Sequence, residues 1–397
     1  MSAPNLSATR GERSDRPLAL TVAFAFALSL GIAIVAIPLV ALDAGYSPAT
    51  IGFLVAVSAG SQLVARFALP WLLGRFADRL LITLAGACML AGLGILLLTT
   101  ELPGFLLAQA VLGASRALFW TASQTHALRS GGEPVKRLVD LNLAGNAGTL
   151  TGPVLAGLLA TIGLPVAIAG AALAVSVTLI GAPLLRAFPL YDRRQSGGAL
   201  RLLRREGVDM ACWANVVGGV WWSMIGSYVP VILVGAGLMP SIIGLLVTLS
   251  EGAGAAMLVV LRRTPVRLVP RIVRAGAFTE MVALVAIALA PHTALAYAAF
   301  LILGGGAAGC VTGLAPALVA LAAGEQEHGD ALALSGTFRS LALLGAPALV
   351  GTLLGFVALP VAMIAIAAMA TAPGLALLPR AGAARQLSHR LGPGGPS

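Results

Sequence analysis

Three ionisable side chains stand deep inside long apolar stretches of this chain: Arg116 within 103–126, Glu251 within 240–261 and Arg339 within 332–356. A charge in such a place is costly and is therefore a functional signal. Around Arg116, the residues Gln109, Gly113, Trp120 and Gln124 recur at steps of four, three, four and four, which places amides, a guanidinium and an indole on one helix face. That set suits an organic molecule or an anionic group, with Trp120 free to stack. The competing reading is an arginine locked by carbonyls and a carboxylate to hold helices together. Glu251 offers different chemistry. A carboxyl in low dielectric favours its neutral form and a nearby cation favours the ionised one, so a change of neighbours loads or releases a proton. Asn215 and Trp222, in an apolar stretch at 209–235, join Arg339 as candidate substrate contacts. Arg66 comes late in its stretch and can snorkel, while Glu280 has Arg274 nearby as a pairing partner.

The elements that must position these groups are membrane spans. With 58% hydrophobic and 10% charged residues in 397, against about 25% charged in soluble domains, the apolar surface exceeds what one water-soluble core hides. Twelve spans are predicted, near 17–42, 48–72, 80–100, 103–126, 140–162, 164–185, 209–235, 240–261, 273–291, 294–321, 332–356 and 358–379. With the N-terminus cytoplasmic, inner loops and tails carry twenty-two of the twenty-five Lys and Arg. Outer loops offer only Asp43, Glu101 and His292. The net charge of +10 is thus a positive-inside signature, which places both termini in the cytoplasm of a cell membrane and excludes nucleic acid as a partner. Cys88, Cys212 and Cys310 fall within spans and indicate neither disulfides nor a metal site. No phosphate-binding loop and no His/Cys/Asp cluster is present, so the expectation is no enzyme, no catalytic residue, no metal and no cofactor.

The chain divides into a cytoplasmic tail 1–16, a six-helix bundle 17–187, a basic linker 188–208, a second six-helix bundle 209–380 and a tail 381–397. An internal repeat supports the division. Pro48, Ile51, Gly52, Leu54, Val55, Ser58 and Gly60 recur 192 residues later as Pro240, Ile243, Gly244, Leu246, Val247, Ser250 and Gly252, and Pro38 and Gly45 recur as Pro230 and Gly237. Six spans per copy means both copies enter from the same side, a parallel repeat with a substrate path expected between the halves.

Two motifs carry a resemblance to a known family. Gly74, Asp78 and Arg79 resemble the signature loop G-x-x-x-D-R of the major facilitator superfamily, although Leu80-Leu81-Ile82 replaces its basic continuation. Gly148, Gly152, Pro153 and Gly157 resemble that superfamily's fifth-helix motif G-x-x-x-G-P-x-x-G-G, with Ala156 replacing one glycine, a motif associated with proton-driven drug exporters. The resemblance covers about residues 17 to 380. It implies an all-α membrane protein of twelve helices in two pseudo-symmetric bundles, with span four lining the cavity, span eight facing span five, and span nine, with Glu280, at the periphery. It also implies a cytoplasmic gate at Gly74, Asp78 and Arg79, with Asp78 facing a helix of the other half. Gly148 to Gly157 would pack helices closely.

The function implied is secondary transport by alternating access, energised by a proton gradient through Glu251: the substrates expected are small organic molecules, drug-like or metabolite, moved outward by a protein acting as a monomer. Uptake or exchange of a small polar or anionic metabolite is the alternative, with Arg116 as anchor. A transport-inactive receptor or scaffold is the remaining class.

Overall fold

The computed structural model describes residues 8–130, 134–188, 199–205, 207–261, 264–323 and 327–376. The tail 381–397, most of the connection 188–208, Arg262, Arg263, Glu325 and Gln326 lie outside them. Among the described residues there is no strand. The α-helices are α1 (Ala8–Asp43), α2 (Pro48–Leu73), α3 (Asp78–Leu98), α4 (Leu102–Arg129), α5 (Pro134–Ile162), α6 (Leu164–Gly181), α7 (Val208–Ile225), α8 (Tyr228–Gly235), α9 (Pro240–Leu261), α10 (Val269–Leu289), α11 (Ala294–Ala322), α12 (His328–Leu353) and α13 (Leu359–Ala376).

Ten of these are long and apolar enough to cross a membrane, and α7 with α8 forms an eleventh, bent by 42°. The twelfth expected span is the shorter apolar helix α13. Proline sets several starts, opening α2, α4, α6 and α10 at a position whose N–H has no intrahelical partner. Ser47 caps α2 by accepting from Thr50 N. The segment expected as a polar tail is helical from Ala8 onwards, so α1 begins well before its apolar run.

Span seven departs from the expected single helix. Pro230 has no N–H to give the Gly226 carbonyl and its ring crowds that turn. The helix stops at Ile225 and restarts at Tyr228, with the Ser227 hydroxyl donating to the Ser223 carbonyl at 2.5 Å. Pro38, at the equivalent place in the first copy, lies inside a continuous α1.

The chain forms two compact units. The first holds Met1–Arg194 with Leu238–Thr248, and the second holds Gln195–Gly237 with Leu249–Ser397. In the first, α1 packs on α5 and α6, α3 on α4 and α6, and α2 on α4. In the second, α7 packs on α12, α11 and α13, and α10 on α11 and α13. The α1–α5, α1–α6, α3–α4 and α3–α6 pairings thus return as α7–α12, α7–α13, α10–α11 and α10–α13. The repeat also reappears at single residues: Gly45 and Gly237 both take a left-handed backbone, φ 82° and 77°, in the turns before α2 and α9.

Phe26 on α1 stacks on Phe119 of α4 with centroids 3.7 Å apart, inside a core otherwise rich in Ala, Val, Leu and Ile. The outside is as apolar as the inside. Phe67 is 75% exposed, Leu98 88%, Leu295 82% and Phe356 84%, the surface of a multi-pass membrane protein whose solvent is lipid.

Candidate transport site

In the first unit, α4 carries the polar stripe. Arg116 is half-buried, and its Nε is buried without a hydrogen-bond partner. Its companions do not share one environment: Gln109 is 2% exposed and buried in the bundle, while Gln124 is exposed. Trp120 seats its ring against Gly145 of α5, where a β-carbon would come within 2.5 Å of it, and meets Phe119 edge-on at 5.4 Å. Gly113, in the same stripe, admits the Ser58 carbonyl and the Ser61 hydroxyl of α2. Ser61 in turn donates to the Ala110 carbonyl at 2.7 Å. The glycine on this face therefore brings α2 against α4, and Arg116 stands one turn further along.

The α5 motif has two faces. Gly148 and Gly152 meet α1, with a β-carbon on Gly152 falling 2.5 Å from Gly31 Cα. Gly157 meets the start of α9, where its β-carbon would fall 2.6 Å from the Pro240 carbonyl oxygen and 3.2 Å from Gly244 Cα. The Pro153 carbonyl lies against Gly244, and Thr248 donates to the Leu150 carbonyl at 3.3 Å. Main chain packs on main chain along this seam, the contact small residues permit between membrane helices.

The signature loop is also tied down within its unit. Gly74 ends α2 and Asp78 starts α3. Asp78 is 1% exposed; its Oδ1 accepts from Arg79 N at 2.9 Å. Oδ2 lies 3.3 Å from His126 Nδ1 and 3.7 Å from an Arg129 nitrogen, both on α4. The partners seen here for Asp78 thus belong to its own bundle, whereas the resemblance implied a partner in the other half. Arg79 is exposed. His126 reaches onward: Nε2 lies 3.0 Å from Asp15 Oδ2 on α1, and Asp15 Oδ1 accepts from Arg186 N at 3.2 Å. Phe188 covers the group, 5.0 Å from the His126 ring, with Arg129 and Arg186 over its face. Sequence reasoning singled out neither His126 nor Asp15. The available signal was the three-residue spacing of His126 and Arg129, which puts both on one face of α4.

In the second unit, Arg339 of α12 and Trp222 of α7 come together, the guanidinium 5.9 Å from the indole centroid. The Trp222 Nε1 is buried without a hydrogen-bond partner. Gly219, about two turns before the break, lets the Arg339 carbonyl approach α7. Glu251 on α9 is half-buried in the same unit. Asn215 is less available than its amide suggested, because Nδ2 donates to the Ala211 carbonyl of its own helix at 2.9 Å.

One sequence expectation changes. Glu280 does not pair with Arg274, whose NH2 turns to Met210 Sδ at 3.9 Å. Instead Glu280 is 0% exposed on the buried face of α10. The glycines of α11 admit close neighbours: Gly304 receives the Trp221 ring, Gly305 the Ser250 carbonyl and Gly309 the backbone of Gly254. Among the described residues no group of His, Cys, Asp and Glu forms a metal site, and Cys88, Cys212 and Cys310 are free.

A point-mutant form of the nucleoside transporter NupG superposes with a TM-score of 0.75 at 10% identity, covering 91% of this chain and 98% of that one. A bacterial homologue of the human lysosomal transporter Spinster, inward-facing and unoccupied, gives 0.69 at 14% identity, with 89% and 83% covered. A POT family transporter in complex with a thioalcohol-conjugated peptide gives 0.70 at 12%, with 92% and 96% covered. No match was found among curated proteins. These likenesses establish the fold, two bundles of membrane helices built on one plan. The sequence profile of the Major Facilitator Superfamily matches residues 19–347, and the chain belongs to that family.

Proposed function

We propose that this family member is a secondary active transporter that exports a small organic substrate in exchange for protons by alternating access of its two halves. The observation that carries the reading is the meeting of Arg339 with Trp222 inside the second bundle, in the unit that also holds the half-buried Glu251. An indole and a guanidinium give a substrate a stacking face and a polar anchor, and a carboxyl within a span can take up and release a proton as its neighbours change. Arg116, Gln109, Trp120 and Gln124 supply the corresponding contacts from the first bundle, Gly74, Asp78 and Arg79 the cytoplasmic gate, and Gly148, Gly152, Pro153 and Gly157 the close-packed support.

A second reading is favoured by one observation, the buried Arg116 Nε without a hydrogen-bond partner. A free guanidinium donor fits a substrate bearing an anionic or carbonyl group, which suits proton-coupled uptake or exchange of a polar metabolite. Fold neighbours named for nucleosides and a peptide make both classes reasonable probes. Proteoliposomes under an imposed pH gradient, tested with nucleosides, dipeptides and lipophilic drugs, separate the readings. Proton-driven movement of drugs opposite to the proton supports export. Movement of nucleosides or peptides with the proton supports uptake, and the absence of any pH-driven flux rejects both.

A further inference from the structure

Between Arg137 and Ile162, where α5 is long and apolar enough to cross the membrane, two neighbouring faces of that helix differ in kind. Asn142, Asn146, Pro153 and Gly157 are separated by four, seven and four residues, which puts them on one face. Leu143, Ala147, Val154 and Leu158 repeat that spacing one residue further on, a rotation of about 100° around the axis. The second face is that of a helix in lipid, with Leu143 and Leu158 each 52% exposed. On the first face, Pro153 and Gly157 are buried under the start of α9. Asn142 and Asn146 are left exposed, and among the described residues neither amide has a hydrogen-bond partner. A carboxamide with no partner is costly in hydrocarbon. Lipid is therefore excluded as the surroundings of these two side chains, and water or a polar solute is what they meet.

A third amide stands at the same depth. As consecutive spans, α4 and α5 run in opposite directions, and the Trp120 ring seated against Gly145 fixes their register. Counting from that contact towards the α4–α5 connection, Gln124 lies four residues along α4 and Asn142 three along α5, so the two fall within about 2 Å of one level. Gln124 is likewise exposed and without a hydrogen-bond partner among the described residues. Each of the three amides is neutral and offers N–H donors beside a carbonyl acceptor.

We propose that Asn142 and Asn146, with Gln124, form a carboxamide subsite that reads a neutral donor–acceptor edge on the substrate, a primary amide or a lactam. A carboxamide meets such an edge through two parallel N–H···O bonds, one given and one accepted. N-methylation removes the substrate's donor and leaves a carbonyl of the subsite unpaired, which is where hydrogen-bonding sites discriminate most strongly. Asn142 and Asn146 stand about 6 Å apart along the helix axis, so one small molecule spans both. The subsite's place in a transport cycle rests on the reading above, whereas binding to it does not.

Two measurements on the full-length protein test the proposal. In permeabilised membrane vesicles, Asn142→Cys and Asn146→Cys should react with a charged methanethiosulfonate above the background of Cys88, Cys212 and Cys310, while Leu143→Cys and Leu158→Cys should stay at background. Equal labelling at positions 146 and 143 overturns the polar face. In lipid nanodiscs, calorimetric titration with aromatic lactams and primary amides against their N-methylated counterparts should give the wild type a preference of about tenfold or more for the unmethylated member. Asn146→Leu and Asn142→Leu, in variants that melt as the wild type does, should each reduce that preference, and Asn146→Gln should retain part of it. A wild type without the preference, or a preference that survives both leucine variants, overturns the subsite. A preference lost in Asn146→Leu, in a protein whose wild type shows no pH-driven flux, supports the subsite and removes the proton-coupled reading.

Discussion

Gly305 on α11 receives the backbone carbonyl of Ser250 from α9 in the space a side chain would fill, and 192 residues earlier Gly113 on α4 receives the carbonyl of Ser58 from α2. Both serine hydroxyls are buried without hydrogen-bond partners. The same contact recurs at the same offset, so a methyl group at either glycine must push two helices apart. Gly305→Ala and Gly113→Ala should each destabilise the protein by about 1–3 kcal/mol, the range for overpacking. Gly336→Ala, in open space, is the matched control. Thermal unfolding in detergent checks this, and equal melting of all three variants would contradict the seam.

His126 links α1 to α3 through Asp15 and Asp78. His126→Ala leaves Asp15 and Asp78 buried with one partner fewer, at a cost of about 1–3 kcal/mol for an unsatisfied group. A double-mutant cycle with Asp15→Asn should return a coupling of about 0.5–3 kcal/mol. Additive effects on melting would show that the 3.0 Å contact carries no energy.

Glu251 is the carboxyl expected to exchange a proton with the driving gradient. Glu251→Gln fixes a neutral side chain of the same shape, so pH-driven flux should fall while substrate-for-substrate exchange persists. The pH profile of transport in proteoliposomes reports the outcome, and an unchanged profile removes Glu251 from coupling.

Trp222 and Arg339 make one binding surface in the proposed mechanism. Trp222→Leu removes the ring under the guanidinium, a contact worth about 0.5–2 kcal/mol, and should weaken substrate affinity several-fold. Trp222→Phe should recover part of it. Arg339→Lys keeps the charge but loses the planar fork, so its affinity should fall below that of Trp222→Phe. Tracer-binding titrations decide the order.

Tyr228 donates from its hydroxyl to the Pro347 carbonyl on α12 at 3.1 Å. Because Pro347 lies inside that helix, the tie joins α8 to an irregular point of its neighbour. Tyr228→Phe should cost about 0.5–1.5 kcal/mol, read from thermal unfolding, with transport little altered if the hydroxyl only anchors.

The apolar periods and the placement of Lys and Arg made the spans legible, and Pro and Gly made the repeat legible, because both are written in residue types that membranes and turns restrict strongly. Gly45 and Gly237 illustrate the point: only a backbone freed from Cβ takes those φ values cheaply. Partner choice was less legible. Asp78 could be recognised as a loop acid, but whether it would meet its own bundle depended on His126 and Arg129, forty-eight and fifty-one residues further on. Glu280 was harder, since proximity in sequence favoured Arg274, whereas helix rotation turns the two residues to different neighbours. The bend of span seven was written in Pro230, yet Pro38 shows that the same residue at the same place need not break a helix.

That difference sets the stiffness of the two leading spans. In the first unit α1 is a single beam, and force applied anywhere along it is felt at both ends. In the second, α7 and α8 are two short struts meeting at Gly226 and Ser227. The lower strut is pinned by Trp213 to the Ala370 carbonyl at 2.8 Å and the upper by Tyr228 to Pro347. Rotation about a few backbone dihedrals at that joint can redirect the upper strut while the lower keeps its pin, so two bundles assembled to one plan yield unequally to the same load.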